Sequence, residues 1–367
     1  MAYTINTNTG ITISNTVIDD EGNFQVGALT SSYFVIDAQK RYGFTLGGYT
    51  TSGNQTVDMF PYNSPFTTAT DRTPVYPFGG ASMGIWGTAA VGVHGRVIAF
   101  GGTANGTTSA VYGSWYPAYC YGYSSPTAGA LIPADRYPSL QPYNLTAVYG
   151  GGYNPAAFLI GGTVECDDSP GSTMESSILK VPVSHPSVTS WAITTYGSIG
   201  TGKYRLMSAS SSEYGYVFGG QTIAGSQPPS IVNVIQRFPY SAPTPVSATD
   251  IGDLYYSVSF GTGHTDVFGS VGYMSGGITT PGASANYVQS FPFSAPFTTA
   301  SDIGNLTAAK YGVAGSSSTE DGYIHGGYAS PTYVNVIEKF PFTSPFVTAS
   351  DVGNLAVARW NASGAAG

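Results

Sequence analysis

A chain of 367 residues with 12 basic and 20 acidic side chains carries a formal net charge of −8, and only 9% of its residues are charged. That balance opposes binding to nucleic-acid phosphates, and no apolar run is long enough to cross a bilayer as a helix. With 49 glycines and 28 tyrosines, the composition predicts a surface of hydroxyls, amides and aromatic rings, suited to neutral hydrogen bonding and stacking against sugars or neighbouring subunits.

Residues 1–39 stand apart from the rest of the chain. The opening Met-Ala-Tyr-Thr-Ile-Asn has neither a basic start nor an apolar core, so no secretory leader is expected. Residues 10–18 alternate apolar and polar side chains, Asp19-Asp20-Glu21-Gly22-Asn23 supplies a turn, and Phe24-Gln25-Val26 resumes the alternation. This predicts a β-hairpin arm. A hairpin of this size is marginal alone, so it should pack on the main body or on another subunit.

From residue 40 onward the chain repeats. Alternating strands end on glycine pairs at Gly47-Gly48, Gly101-Gly102, Gly161-Gly162, Gly219-Gly220, Gly276-Gly277 and Gly326-Gly327, spaced 54, 60, 58, 57 and 50 residues apart. A period this long signals one supersecondary unit per repeat, as in propellers. Three residues before each pair stand Phe44, Ile98, Phe158, Tyr216, Tyr273 and Tyr323; one residue before stand Leu46, Phe100, Ile160, Phe218, Ser275 and His325. The two columns share a strand face, read as core between neighbouring blades. Phe-Pro-aromatic triplets recur at Phe60-Pro61-Tyr62, Phe238-Pro239-Tyr240, Phe291-Pro292-Phe293 and Phe340-Pro341-Phe342. Proline belongs at a strand end or outer edge, which fits strands at a blade's rim.

A first-strand aromatic precedes five of the pairs, at Trp86, Tyr149, Tyr204, Phe260 and Tyr311, and the first repeat lacks one. The chain's last stretch, Asp351-Val352-Gly353-Asn354-Leu355 through Trp360, opens a repeat without continuing it. Placed in the first blade, it would supply the sixth aromatic and remove two exposed sheet edges. The segment Gly27–Tyr33 competes for the same slot, and the longer C-terminal match is favoured. The expected fold is all-β: a six-bladed propeller over residues 40–367, closed by the C-terminal strand, with the arm at residues 1–39.

The six glycine pairs resemble kelch-type β-propellers. Tyr49 and Tyr328 alone follow a pair directly and there is no tryptophan column, which departs from the kelch pattern. The Asp-Ile/Val-Gly-Asn/Asp-Leu and Phe-Pro-Phe/Tyr-x-Ser/Ala-Pro segments look more like the kelch-like, low-charge repeats of structural and tail-fibre proteins of tailed bacteriophages. The arm is similar in style to the N-terminal attachment segments of phage fibres.

Catalytic chemistry finds little support in the residues. A galactose-oxidase-like copper site would need clustered tyrosines and histidines, but His94, His185, His264 and His325 fall at four different places in the repeat. His94 and His264 are expected in loops between first and second strands and His325 in the core. A sialidase-like Ser-x-Asp-x-Gly-x-x-Trp box is missing. Asp250, Asp302 and Asp351 read as turn formers. Cys120 and Cys166 show no zinc or redox spacing and read as buried thiols, with a single bridge as the alternative. No cofactor is expected.

Two stretches break the repeat. The tyrosine-rich connection from Tyr119 through Tyr121 and Tyr123 to Tyr137, and the acidic loop containing Glu165, Asp167, Asp168 and Glu175, should share one rim and are the candidate binding residues. They could serve as stacking platforms and oxygen ligands for calcium, as subunit contacts, or as ordinary solvated loops. The leading expectation is a non-enzymatic virion component, a tail-fibre or appendage protein adhering to host glycan or protein or assembling the particle. It would contact other virion proteins through residues 1–39, act as a homo-oligomer, and bind neither nucleic acid nor membrane. A decoration protein without a receptor and a carbohydrate-active or oxidative propeller enzyme are the alternatives.

Overall fold

The computed structural model describes residues 3–6, 10–13, 42–50 and, with gaps in several loops, 56–366; residues 14–41, 75–84, 105–116, 123–130, 134–143, 164–173 and 184–192 are among those outside the described set. In the arm, Tyr3–Asn6 pairs antiparallel with Gly10–Ile13. This hairpin lies N-terminal to the one expected, whose turn at 19–23 and second strand at 24–26 fall outside the described residues.

The body is an all-β propeller. Five sheets have four strands, antiparallel throughout, and in three of them a separate two-stranded hairpin is inserted between the second and third strands. The expectation was six such blades. The sheet of residues 146–247 departs from it, because Val246–Ser247 adds a fifth strand parallel to Thr194–Ser198. The sheet containing Tyr42–Leu46 takes its inner strand from the far end of the chain, Ser363–Ala366. The inner strands Ile85–Val93, Thr146–Gly150, Met207–Ser210, Thr262–Thr265, Ala314–Ser317 and Ser363–Ala366 lie side by side in that order. The last touches both Ala314–Ser317 and Ile85–Val93.

The glycine pairs stitch one sheet to the next. Both glycines have positive φ, for example 60° and 108° at Gly326-Gly327, a region that costs other residues about 1–2 kcal/mol. The first N–H stays in its own sheet, as in Gly326 to the Val336 carbonyl. The second crosses over: Gly162 donates to the carbonyl of Lys203, Gly220 to Val258, Gly277 to Lys310 and Gly327 to Arg359. A β-carbon on Gly326 would meet the Arg359 carbonyl at 2.6 Å.

The two expected core columns are all buried. Their tyrosines reach into the following sheet, Tyr216 donating to the Phe293 carbonyl, Tyr273 to Phe342 and Tyr323 to Tyr62. The Phe-Pro triplets end third strands, which are interior to their sheets and not at the rim. Proline sits there because the strand stops, and each phenylalanine packs over a glycine of the second strand. Gly43 faces Phe60, and a β-carbon there would meet the ring at 2.2 Å.

Deleting residues 361–367 is expected to leave Tyr42–Leu46 as an unpaired edge and to cause self-association. Size-exclusion chromatography checks this; a truncated protein that stays monomeric with an unchanged melting temperature would show that the C-terminal strand is dispensable.

Candidate functional site

The eight residues expected to bind do not form one described site. Tyr119 and Tyr121 lie on the strand Pro117–Gly122, with backbone partners on Arg96–Ala104 and Leu131–Pro133. That stretch is therefore a third strand of its sheet and not a connection. Tyr123, Tyr137, Glu165, Asp167 and Asp168 fall outside the described residues, as does Cys166. Glu175 is described and is used locally: its N–H bonds to Gly162, its carbonyl accepts from Lys203, and its carboxylate accepts from the Ser177 hydroxyl at 3.2 Å.

The built feature lies on the axis, where six residues, five of them just before an inner strand and Gly87 within Ile85–Val93, form a cycle of backbone hydrogen bonds. Phe260 donates to Arg205, Arg205 to Asn144, Asn144 to Gly87, Gly87 to Asn361, Asn361 to Gly312 and Gly312 to Phe260, at 2.7–3.1 Å. All six have φ between 53° and 69°. In that conformation the N–H and C=O groups run around the axis and satisfy one another, so no polar backbone is left unpaired at the crowded centre. Four of the six are not glycine, and such strain concentrates at functional positions.

Below the cycle lies a cavity of about 160 Å³. Its walls are small and neutral, including Thr88, Ala89, Thr146, Ala147, Ser208, Thr262, Gly263, Ala314, Gly315 and Ser363. A second cavity of about 170 Å³ continues toward the other end, past Ser210, Thr265 and Ser317. Arg205 is the charged residue of the first cavity's described lining. Its guanidinium lies 4.5 Å from the Phe260 ring centroid and 5.2 Å from that of Tyr204, and it donates to Gln221 at 3.4 Å.

Next to the cycle, half-buried aromatic rings gather around Trp360. Tyr311, Tyr49 and Tyr328 have centroids 5.6, 6.4 and 6.3 Å from it, and the Tyr333 ring lies nearly parallel to it, at 9°. The first-strand aromatic column needs two corrections. Bridges place Tyr204, Ser259, Tyr311 and Trp360 as equivalents, so Phe260 is one residue late and occupies the cycle itself. Tyr149 lies within an inner strand, five residues beyond Asn144.

Several of the few charges are buried in pairs. Lys310 Nζ lies 3.0 Å from Glu338 Oε1 and Arg359 Nη2 lies 3.0 Å from Asp58 Oδ2, with all four side chains at most 1% exposed. Lys203 donates to Gln236 at 2.6 Å at the equivalent place. The acidic partners also cap the preceding turn, Glu338 accepting from the Thr307 N–H and Asp58 from that of Ala356. Burial lowers the Lys310 pKa against the pull of Glu338 and raises that of Asp58 against Arg359.

His264 is a strand residue, not a loop residue, on Thr262–Thr265. Its Nδ1 donates to the Ser316 carbonyl at 3.1 Å, which leaves Nε2 to accept from Ser275 at 2.8 Å. Ser316 Oγ contacts His325 Nε2 at 2.8 Å, and His325 Nδ1 reaches Thr45 Oγ1 at 2.9 Å. Two of the histidines thus share one buried chain across three sheets. Burial pushes His264 down to about 4, and burial, with His264, Arg359 and Lys310 nearby, holds His325 well below its usual value. His94 and His185 lie outside the described residues. Among those described, no three His, Cys, Asp or Glu side chains gather as a metal site.

Sequence reasoning missed the cycle. A signal was available in the residues after Trp86, Tyr311 and Trp360, which are Gly87, Gly312 and Asn361, the types that best tolerate positive φ. No protein-family model matches this chain, and no curated protein matches it either.

Proposed function

We propose that this chain is a non-enzymatic virion structural protein of the kelch-like kind, an appendage component that adheres to a host surface or joins neighbouring particle subunits. The reading counts the five-stranded sheet as a sixth blade and takes the ring as closed through Ser363–Ala366. The cycle of hydrogen bonds and the succession of inner strands support it. The observation that carries the functional part is where charge goes. In a chain with 9% charged residues, Asp58, Lys203, Lys310, Glu338 and Arg359 are all spent in the interior. The outside keeps scattered carboxylates, among them Asp71, Glu213, Asp250, Asp302, Glu320 and Asp351, on a surface otherwise rich in hydroxyls, amides and rings, and such a sparsely charged surface makes weak contacts that many copies on one particle turn into adhesion. The small, neutral axial walls favour this reading over an oxidative or glycan-cleaving enzyme, which needs converging carboxylates or metal ligands.

In this reading the hairpin arm anchors the protein, which acts as a homo-oligomer in the particle. Removing residues 1–39 is expected to yield a soluble, folded body that is no longer incorporated into particles, measured by circular dichroism and by immunoblotting of purified virions. Normal incorporation of the truncated protein would refute the anchoring role.

A further inference from the structure

We propose that the axial cavity binds one pyranose ring carrying a carboxylate, which Arg205, itself stacked on the Phe260 ring, and the amides of Asn144 and Asn361 would hold. The cycle is chemically lopsided. In cycle order Asn361, Gly87, Asn144 and Arg205 form one arc, and Phe260 and Gly312 form the other. A sugar has the same division, with hydroxyl groups along its edge and C–H groups on its face.

The amides supply an independent observation. Asn144 is 5% exposed and Asn361 6% exposed, and both line the cavity. Neither Oδ1 nor Nδ2 of Asn144, nor Nδ2 of Asn361, has a hydrogen-bond partner among the described residues. Leaving such groups unpaired in a protein interior is costly, so a ligand offering both donors and acceptors is favoured there. Arg205 adds the charge, and a guanidinium beside amide donors suits a carboxylate. It holds this position at φ 54°, where two other sheets use Gly87 and Gly312. The cavity of about 160 Å³ would hold on the order of ten waters. That is too roomy for a bare ion and suits one sugar ring.

The assignment extends the adhesive reading above but is tested on purified full-length protein, so its failure would leave particle incorporation untouched. Calorimetric titration with D-glucuronic acid should give saturable binding with one site per chain, and D-glucose and acetate should each bind about tenfold more weakly or worse. Arg205→Gly and Asn144→Gly should each weaken glucuronate by about tenfold while the melting temperature holds, because glycine already serves at positions 87 and 312. If Arg205→Gly fails to fold, Asn144→Gly carries the test. No saturable glucuronate binding, equal affinity for glucose, acetate as tight as glucuronate, or unchanged affinity in the folded variants would each overturn the proposal.

Discussion

Replacing Lys310 by valine is expected to lower the unfolding free energy by about 3–5 kcal/mol, since Glu338 would be left buried without its cation. Adding Glu338→Gln should restore most of that loss. The protein carries the neutral version of this pair in the preceding sheet. Gly220 bonds to the Val258 carbonyl as Gly277 does to that of Lys310. Gln289 stands opposite Asp302 as Glu338 stands opposite Asp351. Gln289 still caps the turn, accepting from the N–H groups of Tyr255 and Tyr256 at 2.7 and 3.3 Å. Charge has left both positions together here, whereas Lys203 keeps its ammonium against the neutral Gln236. Guanidinium unfolding of the single and double variants measures the effect; a double variant no more stable than Lys310→Val would show that the ion pair is not what matters.

Acid should unfold the protein through its histidines. His264 titrates near 4 in the folded state and near 6.5 when unfolded, so between those values the unfolded chain binds more protons. Stability is full above pH 6.5 and is lost as pH falls toward 4, by about 3 kcal/mol for His264 alone. His325, also lowered, adds to the loss. Asp58, whose pKa burial raises, works in the opposite direction over the acid end. Urea denaturation at pH 7 and pH 4.5 should show the drop, and His264→Gln should flatten it. Equal stability at the two pH values would contradict a neutral buried histidine chain.

What the sequence disclosed was the part governed by short, local rules. Glycine pairs must close strands where φ is positive, alternating columns must bury one face, and Asp250, Asp302 and Asp351 must cap turns, which they do through the N–H groups of Gly252, Gly304 and Gly353. All three could be read from spacing. The axial site was legible only in part, because Gly87, Asn144, Arg205, Phe260, Gly312 and Asn361 are six residues of four types from six repeats, brought together only by rotation about an axis. Even the aromatic column that should have marked them slipped by one residue at Phe260, where serine holds the aromatic's place. The histidines show a different limit. Their positions in the repeat were unequal, which argued against a shared site, yet adjacent sheets bring inequivalent positions face to face, and Ser316 joins them.

The pairing of Ser363–Ala366 with Tyr42–Leu46 also governs when this protein can become native. The sheet begun near residue 42 cannot receive its inner strand until residue 366 has been synthesised, so its core strand waits while the intervening sheets emerge in turn. Joining segments about 300 residues apart costs only modestly more entropy than joining nearer ones, but it comes last. During translation the nascent chain therefore carries an unfinished edge at Tyr42–Leu46, the stage at which chaperone protection would matter most.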